Sequence, residues 1–276
     1  MFFCVIKYSF SMACGIYYSK FGQKSTSEAE VFDTMYTETP EKIVYTSKVD
    51  GASDWYMLCN AGRGTDCLVY LHGHGSRGDQ LFTRADIKVR LPFIAGLGLS
   101  IIAPDLRGNS WMCPTVVSDL ADILGSCREK YCFKRFVFVS GSMGGTGALI
   151  FAVRHPELAD AVGVMGGATK LLRYRESLRR GRLSIHREIL DAIEAHYRDE
   201  DYALHDVSAQ AEKLTMPLYF AHGTADGIMP VAEMYDLRDK LDGRPGKLFR
   251  AIPHGGHDSP IPLFGEILEY LLERLD

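Results

Sequence analysis

Six short apolar runs, at residues 67–71, 99–103, 136–139, 161–165, 218–221 and 248–252, recur along the chain with longer stretches of helical character between them. Four or five consecutive apolar residues suit a strand buried on both faces, and such strands belong to parallel sheets covered by helices. Parallel neighbours need crossovers of a dozen or more residues, which the intervening segments supply. Helices are expected at residues 80–95, 115–130, 147–154, 231–241 and 263–275. In the last, Ile267, Leu268, Leu271, Leu272 and Leu275 form a stripe at helical spacing, read as sheet-facing core. Ahead of the alternating region, residues 42–49 and 55–59 read as a hairpin turned at Asp50-Gly51. The fold class is α/β, a mostly parallel sheet with helices on both faces.

One interval breaks the rhythm. Residues 170–213 lie between two strand-like runs and are far longer than one crossover helix; residues 183–197 and 207–214 read as helical within them. Open α/β sheets hold ligands beyond the carboxyl ends of their strands, so an insertion there is expected to act as a small helical lid. A chain of 276 residues suits one such domain, here residues 31–276. Residues 1–30 are expected to form an N-terminal extension, packed on the domain or poorly ordered. Residues 1–18 are moderately apolar, but Lys7 interrupts them and no basic segment leads in, which argues against an export signal. No other stretch approaches a membrane span.

The run at 136–139 leads straight into Ser140-Gly141-Ser142-Met143-Gly144-Gly145. A strand, then small residues, then a helix is the layout of a sharp turn that lifts one side chain, Ser142, out of the sheet edge. Small neighbours are needed because backbone atoms approach closely there. Gly144 fills the later glycine position of this pattern, while Ser140 stands where glycine is usual. The helix that follows points its free N–H groups and positive dipole end at charge developing beside the serine. A hydroxyl is a poor nucleophile at neutral pH and needs an imidazole to take its proton and a carboxylate to orient that imidazole. Asp226, in His222-Gly223-Thr224-Ala225-Asp226, follows the fifth run, in a loop where an aspartate also serves as a turn or cap. His257 follows the sixth, in Pro253-His254-Gly255-Gly256-His257. His254 competes for the role of base; His257 is preferred because it sits at the loop tip beside the final helix.

An oxyanion needs donors, and the backbone N–H groups of Met143 and His74 are assigned to it, with Gly75 next in line. His74 belongs to Leu71-His72-Gly73-His74-Gly75-Ser76, a loop whose glycines permit close approach. A zinc site on His72 and His74 is the rival reading, but no third ligand with suitable spacing follows. Neither metal nor cofactor is required.

Together with Pro104-Asp105-Leu106-Arg107-Gly108-Asn109-Ser110 after the fourth strand, these segments resemble, in order and placement, the α/β-hydrolase family over residues 40–276. The resemblance implies an eight-stranded, mostly parallel sheet and a Ser142–Asp226–His257 triad. Within the family the motifs are similar to those of esterases and prolyl-oligopeptidase-like members. A true oligopeptidase is expected to carry a propeller domain, and the chain has none ahead of residue 40, so the expectation turns to small substrates. The reading is a serine hydrolase that cleaves carboxylic esters of small molecules through an acyl-enzyme. The alternatives are a peptidase or amidase and a non-catalytic hydrolase-like protein that binds a ligand.

Net charge is −4 with no long run of one sign. The densest basic stretch, Arg173, Arg175, Arg179, Arg180 and Arg182, is interrupted by Glu176 and reads as a solvated helix face, so nucleic acid is not an expected partner. Arg107 reads as one half of a structural ion pair. The seven cysteines, Cys4, Cys14, Cys59, Cys67, Cys113, Cys127 and Cys132, show no paired metal-ligand spacing. Cys59 and Cys67 flank a short connection, yet free buried thiols are the reading, which suits a reducing compartment such as the cytoplasm.

Overall fold

A computed structural model describes residues 39–61 and 64–275. The expected N-terminal extension, with Cys4, Lys7 and Cys14, lies outside the described residues. Eight strands form one sheet: β1 (Glu41–Thr46), β2 (Ser53–Cys59), β3 (Asp66–Val69), β4 (Ser100–Pro104), β5 (Arg135–Gly141), β6 (Ala161–Met165), β7 (Leu218–Gly223) and β8 (Lys247–Ile252). Their order is β1-β2-β4-β3-β5-β6-β7-β8. Only β2 runs antiparallel to its neighbours; the pairs from β4 across to β8 are parallel. Each apolar run is therefore a strand. Strands β3 to β7 are buried almost throughout, whereas the edge strands β1 and β8 are half exposed and carry more polar residues.

Helices cover both faces. Three short ones, α1 (Gln80–Thr83), α2 (Ala85–Lys88) and α3 (Leu91–Gly96), replace the single helix expected over residues 80–95. Arg84 is extended between the first two, and Pro92, which lacks an N–H, can be accommodated only in the first turn of a new helix. Next come α4 (Pro114–Tyr131) and α5 (Ser142–Arg154). In α4 the buried positions Val116, Val117, Leu120, Ile123, Leu124 and Cys127 make one sheet-facing stripe. Helix α5 is buried from Met143 to Val153 and lies at the centre of the domain.

Residues 170–213 hold α6 (Leu171–Arg180), α7 (Ser184–His196), α8 (Asp201–Leu204) and a 3₁₀ segment, Ser208–Lys213. After β7 come α9 (Ala232–Lys240) and α10 (Phe264–Leu272). One core layer joins α4, α5, α6, α7 and α9 to the sheet, and the other joins α1–α3 and α10. Cys59, Cys67, Cys113, Cys127 and Cys132 are free thiols. No helix among the described residues is long and apolar enough to cross a membrane.

The inserted helices are fastened at both ends. At the start, the buried carboxylate of Glu233 on α9 accepts from Thr169 N–H (3.0 Å), the Thr169 hydroxyl (3.0 Å) and Lys170 N–H (2.9 Å), and Arg173 Nε–H donates to its other oxygen (2.7 Å). Beyond α7, the buried Tyr197 hydroxyl points its one proton between the carbonyls of Trp111 (2.7 Å) and Met112 (2.9 Å), and His205 Nδ1 stands 3.0 Å from the same oxygen. Within the basic stretch Arg175 and Arg179 both reach Glu194 of α7, at 3.0 and 2.6 Å, while Arg180 and Arg182 are exposed.

Two expectations follow from this packing. A Cβ on Gly163 of β6 would lie 2.4 Å from Ile267 Cγ2 and 3.2 Å from Leu271 Cδ1. Gly163→Val is therefore expected to push α10 off the sheet and destabilise the protein by about 1–3 kcal/mol, measured by urea unfolding; an unchanged midpoint would contradict this contact. Burial, reinforced by Arg154, pulls the His205 pKa down from 6.5 to about 4, against the opposing charge of Asp201. As pH falls through this window the unfolded chain takes up a proton that the folded chain refuses, so stability declines. The slope from this group is at most about 1.4 kcal/mol per pH unit, vanishing above the unfolded value and below the folded one. His205→Gln is expected to flatten the stability curve over that interval, and an unaltered slope would count against a neutral, buried His205.

Candidate active site

The carboxyl ends of β3 to β8 all point to one edge of the sheet, and every expected site residue emerges there. Ser142 is the first residue of α5, directly after β5. Its φ of +57° lies in the left-handed region, which residues other than glycine seldom adopt. The turn is held by Ser142 N–H donating to the Gly166 carbonyl at 2.9 Å. Gly144, in the first turn of α5, touches the loop after β3; a Cβ there would meet Leu71 O at 2.2 Å. Ser140, the departure from the usual glycine, has a use of its own. Its buried hydroxyl accepts from Leu71 N–H at 2.9 Å and ties the β3 loop to the elbow.

That loop is braced from below. His72 is buried, with Nε2 at 2.8 Å from the Asp105 carbonyl and Nδ1 at 2.9 Å from that of Gly73, so its ring is occupied by the scaffold. Asp105 in turn accepts from Gly78 N–H (3.0 Å) and Arg77 Nε–H (2.8 Å). Trp111 Nε1–H donates to His74 Nδ1 at 3.3 Å, and the Trp111 ring packs at a tilt against Tyr174 with centroids 5.7 Å apart. Burial lowers the His74 pKa, against a raising contribution from Glu188 on α7. Gly75 N–H donates to Asn109 Oδ1 at 2.8 Å and is committed there. His74 N–H has no acceptor among the described residues, and Met143 N–H stands in the first turn of α5, where a helix offers none.

On the other side, Asp226 and His257 come from loops laced together. Thr224 N–H donates to Ile252 O (3.0 Å), Ala225 N–H to Gly255 O (2.8 Å), and His254 N–H to Thr224 Oγ1 (2.8 Å). His257 Nε2 lies 3.0 Å from Ser142 Oγ, and its Nδ1 lies 2.8 Å from Asp226 Oδ2. The Asp226 side chain is fully buried, and its Oδ1 accepts from Ile228 N–H (2.8 Å) and Met229 N–H (2.9 Å). Burial by itself would raise this carboxyl's pKa. Hydrogen bonds from His222 and His257, the charge of His257 and the Met229 N–H outweigh it and hold the group well below the ordinary carboxylate range.

Ser142, Asp226 and His257 thus meet at one rim. His254 does not join them; it is exposed in a left-handed turn, and Asp258 is exposed as well. Arg107 is an ion-pair residue. It reaches Asp50 through two nitrogens (2.5 and 3.0 Å) and Asp119 through one (2.8 Å), linking the β1–β2 turn to α4. Among the described residues no group of three or more His, Cys, Asp or Glu is placed to hold a metal ion. The insertion borders the site, for His186 of α7 has Nε2 at 2.9 Å from the Gly227 carbonyl. A cleft between them is lined by Ser177, Leu178, His186 and the segment Asp226–Ile228 with Pro230. His222, buried beside Asp226, escaped the sequence reading, although a histidine ending an otherwise apolar strand was the available signal.

No family model matches the chain. Two curated proteins are similar over 131 residues: the 2-hydroxy-6-oxononadienedioate/2-hydroxy-6-oxononatrienedioate hydrolases of Paraburkholderia phymatum (30% identical) and Burkholderia vietnamiensis (31%). In each case the match covers 45% of this chain and 44% of the relative, less than half of its length. Among solved structures, the Pyrococcus furiosus esterase Pf2001 superposes with a TM-score of 0.65 at 14% identity, over 92% of this chain and 97% of that one. FphF, a fluorophosphonate-binding serine hydrolase of Staphylococcus aureus, gives 0.63 at 14% identity, over 86% of this chain and 98% of that one. At such identities the likeness is one of fold. Strand order, the single antiparallel strand β2 and these superpositions agree that the chain adopts the α/β-hydrolase fold.

Proposed function

We propose that the protein is a serine hydrolase that cleaves carboxylic esters of small molecules through an acyl-enzyme. The observation that carries this reading is the unbroken contact chain from Ser142 Oγ through the His257 ring to the buried Asp226 carboxylate. In this mechanism Ser142 attacks the ester carbonyl carbon while His257 Nε2 takes the hydroxyl proton. Asp226, kept ionised by its donors, holds the proton on Nδ1 and stabilises the imidazolium that forms. The carbonyl oxygen becomes an oxyanion, received by the N–H groups of Met143 and His74; the positive end of α5 adds to the field there. Collapse of the intermediate expels the alcohol, which takes its proton from His257. Water then repeats the sequence on the acyl-enzyme and releases the acid.

The superposition on an esterase over nearly the whole chain supports esters as the substrate class. A peptidase or amidase would use the same three residues, and matched ester and anilide substrates separate the two. The curated relatives are named for hydrolysis of unsaturated oxo-diacids, which makes such compounds a natural second panel. A hydrolase-like protein that merely binds its ligand would have no use for an activated serine. The free thiols and the lack of a disulfide among the described residues support a reducing compartment.

A fluorophosphonate probe is expected to label the parent protein and not Ser142→Ala, with both variants folded. Equal labelling of the two would place the nucleophile elsewhere, and an unlabelled parent would defeat the serine-hydrolase reading. Asp226→Asn is expected to keep substrate binding and lose on the order of 10⁴-fold in kcat, by stranding His257 in the wrong tautomer. A loss confined to KM would argue against that role for the carboxylate.

A further inference from the structure

His222 is the last side chain of β7 on the face it shares with Leu218 and Phe220, and its exposure is 0%. Its Nε2 lies 3.2 Å from Asp226 Oδ2 and 3.0 Å from the Met229 carbonyl. Both neighbours are acceptors, so the ring carries its proton at Nε2, hydrogen-bonds the Met229 carbonyl and sets the same N–H against Oδ2. Its Nδ1 has no hydrogen-bond partner among the described residues. The ring lies beside Phe220, with centroids 5.9 Å apart, and is closed off from solvent. It cannot serve as a second base, because nothing brings substrate to it.

From this placement we infer that His222 is a positioning residue, resting on the proposed triad and extending it to a fourth member. Asp226 Oδ1 is already occupied by the Ile228 and Met229 N–H groups. Oδ2 is the oxygen that must face His257, and the other side-chain nitrogen against it among the described residues is His222 Nε2, at 3.2 Å. Bonded to the Met229 carbonyl and packed against Oδ2, His222 holds the carboxylate and the loop that carries it in place. The donor also compensates part of a buried negative charge, which an apolar replacement would leave exposed to its low-dielectric surroundings. The effect reaches the reaction only through Asp226 and His257. It therefore bears on the step in which the imidazolium forms, not on substrate binding.

The experiment compares His222→Leu, which fills the space without a donor, with His222→Gln, whose Nε2 falls close to that of the histidine. For the folded Leu variant, kcat on a p-nitrophenyl ester is expected to fall by about 10–100-fold, the range expected for losing one hydrogen bond to a charged group. KM should stay within about twofold, and Gln should restore most of the loss. The low-field proton resonance of the His257–Asp226 hydrogen bond, read without substrate, should weaken or shift in the Leu variant and return in Gln. Equal losses in Leu and Gln would reduce His222 to packing, and parent-like kcat in both would remove it from the site. Should Leu fail to fold, His222→Asn, whose amide is one methylene too short, takes its place with the same expected outcome. A parent that neither turns over ester nor reacts with a fluorophosphonate would instead fail the hydrolase reading, and this inference with it.

Discussion

Asp226 carries its charge where water does not reach, and the surrounding architecture answers that problem. Taking a carboxylate out of water costs several kcal/mol even after the protein relaxes around it, and only donors of good geometry offset the cost. Here they come from the residue's own loop, through Ile228 and Met229, and from the loop after β8, through His257, while His222 at the end of β7 places its Nε2 at 3.2 Å from the same carboxylate. Satisfying one buried charge therefore fixes how the last two strand ends lie against each other. The backbone bonds between residues 224–225 and 252–255 complete that seam.

The other half of the site is built on backbone crowding. A positive φ at Ser142 raises its hydroxyl at the cost of local strain, which the buried helix α5 and the bond to Gly166 sustain. Close passage of the β3 loop over Gly144 sets the Leu71 and His72 carbonyls against the first turn of α5, the helix that begins at the serine. Ser140 adds a hydrogen bond where a glycine would add only space. Its buried hydroxyl and the Leu71 N–H satisfy each other, so the substitution introduces a polar group without leaving it unpaired.

Much of this was legible in the residues. Strands buried on both faces leave continuous apolar runs, so all six runs are strands, and β6 has the expected bounds. Segments with ambiguous local signals fared worse. Residues 80–95 have helical composition, but Pro92 and the extended Arg84 divide them; α5 begins at Ser142 and not at 147, because tertiary contact overrides the poor helix propensity of Gly144 and Gly145. Helix α6 was seen only as a charged face. Ser142, Asp226 and His257 were found because each sits at a strand end in a recognisable turn. The contacts of Ser140, His222, Tyr197 and Glu233 join segments far apart in the chain or fold a short loop back on itself, and no local pattern encodes them. Gly75 shows the same limit, since its N–H is claimed by Asn109 across the loop.

The helices between β6 and β7 have moorings at Glu233, at Gly227 and at the Trp111–Met112 carbonyls. Attachment at three separated points holds this excursion to the body of the domain along its length. For the proposed hydrolase, selectivity is then to be sought in the side chains that line the cleft beside Asp226, such as Ser177 and Leu178, before any hinge.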